Sequence, residues 1–188
     1  EDIGYNATGE GLSGMLRGLD ALVTKKAPGA WLRLMYAYPS CFTDDMIKTL
    51  ADCRHLVKYI DMPLQHINDQ LLHTMRRKVT RGQIETLLDK LRRWVPGITL
   101  RTTFISGFPP APAAPPAALL QFIKDFEFEN VGVFEFSPEP GTPAGRLHHE
   151  AGNAVSADVA TRRKEEIMLA QQKIVFRKNA ATVGQTLP

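Results

Sequence analysis

Ile98-Thr99-Leu100-Arg101-Thr102-Thr103-Phe104-Ile105 stands between a Pro96-Gly97 stop and the loop Ser106-Gly107-Phe108-Pro109. The stretch reads as a strand, and its neighbours say what kind of sheet it joins. Before it, Thr80 and Gln83 form a capping-box pattern with the stripe Ile84, Leu87, Leu88 and Leu91 behind it. After it, Leu119, Phe122, Ile123 and Phe126 mark a helical face, and Val131 to Phe136 reads as another strand. Toward the N-terminus, Val57 to Met62 is a strand ended by Pro63, and Asn68-Asp69 caps a short helix carrying Leu71, Leu72 and Met75. Thr43-Asp44-Asp45 opens a helix with Ile47, Leu50 and Ala51, its acidic groups suited to the positive end of the dipole. Trp31 to Ala37 is the first strand, and Leu12, Met15, Leu16, Leu19 and Val23 share a helical face ahead of it. Ser156 caps a long last helix reaching about Lys178, with Ile167, Ile174 and Val175 as packing positions.

Strands alternating with helices are the pattern of parallel β-α-β crossovers, so the fold class is α/β. Four strands are visible, whereas a closed eight-fold barrel takes about 250 residues. The chain is therefore a small open sheet or part of a barrel. A start at Glu1 rather than Met favours a piece of a longer protein.

The 188 residues, 44% hydrophobic and 23% charged, fit one soluble domain or slightly more. Glu1-Asp2-Ile3-Gly4-Tyr5 carries no basic flank or apolar run of a signal peptide. The uncharged run from Thr102 to Ile123 is broken by Pro109, Pro110, Pro112, Pro115 and Pro116, which excludes a membrane helix. Cys41 and Cys53 are too few and too far apart for a disulfide scaffold or a local metal clip. They read as small hydrophobes in a reducing, cytoplasmic protein.

A net charge of +3 demands no nucleic-acid partner, but the charge is uneven. Leu72 to Arg101 carries eight basic residues against Glu85 and Asp89, and Thr102 to Gly145 carries Lys124 against five acidic residues. The basic pair of helices is a solvated face or a docking surface for phosphate. No GxxxxGK loop and no GxSxG elbow occurs. His148-His149 reads as adjacent side chains pointing apart, with no third metal ligand nearby.

Parallel α/β folds bind ligands at the carboxyl ends of their strands. The segments there are Tyr38-Pro39-Ser40, Pro63-Leu64-Gln65-His66, Ser106-Gly107-Phe108-Pro109 and Ser137 to Pro143. Gln65 and His66 are the most suggestive pair, because an amide and an imidazole both donate and accept hydrogen bonds to a ribose or an amino-acid headgroup.

Trp31 to Pro39 (WLRLMYAYP), Tyr59 to His66 (YIDMPLQH), Met75-Arg76-Arg77, Pro96 to Pro109 (PGITLRTTFISGFP) and Phe136 to Ala144 (FSPEPGTPA) occur in that order. Together they resemble the methylthiotransferase branch of the radical SAM superfamily, over about Glu1 to Leu187. Tyr38-Pro39, the PLQH form and the LRTTFI strand look like the members that methylthiolate an aspartate of a small-subunit ribosomal protein. The alternatives are the tRNA-modifying members and a non-catalytic module that binds RNA or the ribosome.

The resemblance implies a partial radical SAM (β/α) barrel, with the visible strands as three to six of six and Glu1-Asp2 ending strand two. It divides the chain into the barrel at 1–150, a helical extension at 151–182 and the threshold of a TRAM module at 183–188. It implies S-adenosyl-L-methionine and two [4Fe–4S] clusters, whose cysteines would lie ahead of Glu1. It implies a small-subunit ribosomal protein (or tRNA) as partner, no membrane, and a mostly monomeric protein. The stretch alone is expected to be inactive.

By position, the resemblance assigns Gln65 and His66 to the SAM ribose, Thr103, Ile105 and Gly107 to the adenine end, and Phe136 and Ser137 to the last strand mouth. Arg77 matches an arginine that would hold an anionic group. Where the family continues GFP with Gly-Glu-Thr, this chain has Pro110-Ala111-Pro112-Ala113-Ala114-Pro115-Pro116.

Overall fold

The computed structural model describes residues 11–110 and 116–186. Glu1-Asp2, Ala111 to Pro115 and Leu187, on which some of the expectations fall, lie outside the described residues. The helices are α1 (Gly11–Lys26), α2 (Asp44–Asp52), α3 (Asp69–Thr74), α4 (Arg81–Trp94), α5 (Pro116–Phe126), α6 (Pro143–His149) and α7 (Ala157–Ala180). The strands are β1 (Leu32–Leu34), β2 (Leu56–Asp61), β3 (Thr99–Ser106) and β4 (Asn130–Glu135). They pair in parallel in the order β1-β2-β3-β4. Sequential order with a helix in each connection is the α/β architecture expected of a partial barrel.

Local chemistry sets the element ends. Thr43 and Asn68 accept from the Met46 and Leu71 amides, and Thr80 with Gln83 closes the expected capping box. Ser156 occupies the N-cap of α7 but makes no side-chain cap bond. The Lys58 ammonium, from β2, donates to the Leu50 and Ala51 carbonyls at 2.5 Å and to that of Cys53 at 3.3 Å, stapling the end of α2 to the sheet. Burial lowers the pKa of this lysine from its usual range.

β1 is shorter than the expected Trp31–Ala37. Tyr36 adopts a left-handed φ of 55°, which breaks the strand, and its pairing with β2 slips between Leu32 and Leu34. The expected stripe of α1 is also mostly outside the core: Leu16 is buried, whereas Met15 and Leu19 are exposed. Cys53 is buried as expected, but Cys41 is exposed, because it ends the 3₁₀ turn at Pro39–Cys41 on the surface.

Alternation along β3 divides the molecule. Leu100 and Phe104 face the helices and join Ile60, Leu88, Leu91, Phe122, Phe128 and Val133 in one core. Phe104 is fully buried and meets Phe122 and Phe128 edge-on, with centroids 6.4 and 6.5 Å away. Ile167 and Ile174 of α7 close this core from outside, and Gln171 donates to the Phe128 carbonyl at 2.8 Å. Arg101 and Thr103 point to the opposite, inner face.

At the lower end of the sheet, Glu129 ties four elements together. It accepts from the Leu100 amide (2.7 Å), Arg92 (3.1 Å) and Lys178 (2.5 Å). Burial alone would raise its pKa, but these donors outweigh burial and hold it below the usual value.

Replacing Phe104 by Ala removes the ring on which Phe122 and Phe128 pack. We expect a loss of about 3–5 kcal/mol in chemical denaturation, and a smaller loss for Phe104→Leu, which keeps most of the apolar volume but not the ring.

Candidate functional site

The inner face and the carboxyl ends of the strands form one concave region, which the backbone assembles before any side chain does. β2 ends at Asp61, but the chain keeps running beside β3. The Gln65 amide donates to the Thr103 carbonyl at 2.8 Å, and the Ile105 amide donates to the Gln65 carbonyl at 2.9 Å. This bridge opposite Phe104 holds Gln65 at a φ of 72°, a left-handed conformation costly for a residue with a Cβ. Its side-chain amide makes no hydrogen bond among the described residues and stands free at the mouth.

His66 is locked in one form. The Asn68 amide donates to its Nδ1 at 2.9 Å, so the neutral ring carries its proton on Nε2. Burial first, and the nearby Arg163 second, push its pKa down to about 4. At neutral pH His66 is therefore a neutral donor through Nε2.

Thr103 and Ile105 stand beside Gln65 through the same bridge. Phe136, just past the end of β4, donates its amide to the Ser106 carbonyl at 2.8 Å. Its ring meets Phe108 edge-on at 5.0 Å and His148 at 5.9 Å, which builds an aromatic wall between the ends of β3 and β4. Ser137 donates to Glu139 Oε1 at 3.2 Å within its own loop.

Two further assigned residues make contacts of their own. Gly107 has a φ of 83°, and a Cβ there would lie 2.7 Å from the Ala160 Cβ. Its lack of a side chain admits the start of α7, beside the Ser106 hydroxyl bond to the Ala160 carbonyl at 2.7 Å. Arg77 donates to the Pro63 carbonyl at 2.7 Å and stacks over the Tyr38 ring at 4.7 Å, bracing the loop after β2 against that after β1.

Half of the basic residues between Leu72 and Arg101 are engaged internally. Arg81 pairs with Glu85, Lys90 with Asp44, Arg92 with Glu129 and Arg101 with Asp61. Arg76, Arg77, Lys78 and Arg93 stand in no ion pair among the described residues, so half of the eight cations remain unneutralised. The two adjacent histidines do not point apart: the His148 and His149 rings meet edge-on at 5.3 Å, a contact the short helix α6 permits. Among the described residues no three His, Cys, Asp or Glu side chains gather for a metal ion.

Cavity size does not identify the site. One cavity of about 680 Å³ lies between Pro39, Phe42, Val79 and Lys90, and another of about 610 Å³ lies between β4 and α7. The mouth is distinguished instead by its groups. A free amide, a fixed imidazole N–H, the Thr103 hydroxyl and an aromatic wall suit a ribose and a purine. These residues fit the nucleoside of S-adenosyl-L-methionine. An iron–sulfur cluster does not fit, since Cys41 and Cys53 lie apart on the surface and in the core.

Sequence reading missed Asp61, Arg101, Phe108 and Arg163. Asp61 and Arg101 carried a legible signal, as charged residues two and four positions from Pro63 and Ile105 on the alternating face of two parallel strands.

No protein-family profile matches the chain. Curated relatives do. The chain is 41% identical over 157 residues to the ribosomal protein uS12 methylthiotransferase RimO of Bdellovibrio bacteriovorus, covering 84% of this chain and 34% of that protein. It is 41% identical to the RimO of Trichlorobacter lovleyi (93% of this chain, 37% of that one) and 39% to that of Herpetosiphon aurantiacus (99% and 38%). The chain thus spans little more than a third of the length of these relatives.

Among solved structures, it superposes on Escherichia coli coproporphyrinogen III oxidase (HemN), a radical SAM enzyme, with a TM-score of 0.61 at 18% identity, over 93% of this chain and 38% of that one. The radical SAM methyltransferase TsrM of Kitasatospora setae gives 0.53 at 19% identity, over 71% and 26%. These likenesses bear out the partial radical SAM barrel.

Because His66 is depressed in the folded state, it stabilises the protein fully above about pH 6.5 and loses that contribution as pH falls toward 4. The denaturation midpoint should fall over that window, and fall less in His66→Gln, measured by urea unfolding at pH 7.5, 5.5 and 4.5.

Proposed function

We propose that this chain, RimO-like over most of its length, is the barrel segment of a radical SAM enzyme that methylthiolates an aspartate of ribosomal protein uS12. The observation that supports the reading is the backbone bridge of Gln65 into β3 opposite Phe104, with the neutral His66 next to it in sequence and its Nδ1 taken by the Asn68 amide. S-adenosyl-L-methionine, with [4Fe–4S] clusters held by residues other than those described, supplies the carbon radical and the methyl group of such chemistry.

The chain's own residues bind and orient. Gln65 and His66 donate to the ribose hydroxyls, and the fixed Nε2 proton spares His66 any rearrangement on binding. The Phe108–Phe136 wall shields the adenine from water, next to Thr103 and Ile105. Ser137, held by Glu139, lines the outer rim, and Gly107 keeps α7 close enough to support it. Arg77 holds the loop of Gln65 rigid rather than neutralising an anion. No helix among the described residues is long and apolar enough to cross a membrane.

The test is anaerobic assay of the full-length protein, reconstituted with iron and sulfide, on uS12 and on tRNA. A methylthio mass gain on the uS12 aspartate is expected, and modification of tRNA alone would overturn the reading. Gln65→Ala should weaken SAM binding about fivefold, the worth of one hydrogen bond of about 1 kcal/mol, whereas unaltered binding would remove Gln65 from the cofactor site.

A further inference from the structure

The inner face of the sheet holds a charged pair that the proposed cofactor contacts leave unused. Asp61 ends β2 and is fully buried, and its Oδ1 accepts from Arg101 Nη1 at 2.7 Å, directly across the β2–β3 pairing. Asp61 Oδ2 is buried without a hydrogen-bond partner among the described residues. The pair is therefore end-on through one oxygen, although a guanidinium and a carboxylate can engage through two parallel bonds. Nε and Nη2 of Arg101 have no hydrogen-bond partner among the described residues, and 35% of its side chain remains exposed. A planar edge of donors thus stays open, aimed by a carboxylate that solvent does not reach.

The surroundings make that edge a receptor for an anion. Arg33, on β1, lies over the Tyr59 ring at 4.6 Å, and period-two alternation places both on the same face as Asp61 and Arg101. Two guanidiniums against one carboxylate leave the face cationic. Thr103 follows Arg101 by two residues, so Arg101 sits one side-chain layer, about 6.6 Å, below the mouth. A group bound there lies next to anything held by Gln65 and Thr103. Gly132, opposite Thr103 on β4, adds no side chain to fill the space.

We infer that Arg101, aimed by Asp61, binds the side-chain carboxylate of the residue to be modified and makes the site select aspartate. The inference rests on the proposed function and adds the residue that reads the substrate. Asp61 is a positioning residue, since it acts through Arg101. Asparagine has the shape of aspartate without its charge, so discrimination between the two reports on this contact and not on the packing of β2 against β3.

The experiment measures binding of uS12 carrying aspartate or asparagine at the target position to the full-length, cluster-loaded protein with SAM present. The wild type should prefer aspartate at least tenfold. The double variant Asp61→Asn/Arg101→Gln leaves no lone buried charge and should prefer it at most twofold, with SAM affinity retained. A tenfold preference surviving in that variant would overturn the inference. Should the double variant fail to fold, Arg101→Lys decides. A lysine keeps the charge against Asp61 but lacks the planar fork, so it should weaken aspartate binding several-fold with SAM affinity retained, and undiminished binding overturns the inference. A wild type that leaves uS12 unmodified removes the proposed function and this inference together. A wild type that modifies uS12, beside a double variant of unchanged preference, removes the inference alone.

Discussion

Phe104 is where the core and the mouth are joined. Its ring, fully buried, fixes Phe122 and Phe128, and so seats α5 and the approach to β4. Its backbone stands opposite Gln65 in the bridge that extends β2 past its last regular pair. A shift of β3 by one residue would expose that ring and turn Arg101 and Thr103 into the helices. The register that satisfies the apolar core is thus also the register that sets the polar site. Burial supplies the free energy, and the site inherits its geometry.

The two faces of the sheet solve different problems. The helix-facing side is closed by aromatic and aliphatic packing, with Lys58 and Glu129 fastening its ends to helix termini and strand starts. The inner side holds Asp61 and Arg101 in a place where an unpaired charge would be expensive, and it tolerates them because each neutralises the other. A polar inner face costs stability that a packed one would not. Retaining it makes sense for a surface that must admit a polar guest.

Strand–helix alternation, punctuated by Pro63, Pro96-Gly97 and Pro109, made the parallel sheet legible in the sequence. So were the caps at Thr43, Asn68 and Thr80, because a cap is a bond within four residues of chain. The motifs around Gln65, Thr103 and Phe136 pointed to the strand ends, and the structure brings these residues together. The short β1 was not legible, since the left-handed turn at Tyr36 follows from how its strand meets β2 and not from residue type. Nor was the contact between His148 and His149, which depends on the course of a helix too short to announce itself.

Sequence by itself determined the class of fold, the family likeness and the neighbourhood of the site, because periodicity and local capping act over a few residues. Only the tertiary structure decided what the side chains there do. It packed Gly107 against Ala160 and set Arg77 on the Pro63 carbonyl and the Tyr38 ring. It also brought Asp61 to Arg101 from 40 residues away. Partners that far apart in the chain meet only when a sheet register is chosen, and burial of the opposite face, around Phe104, does the choosing.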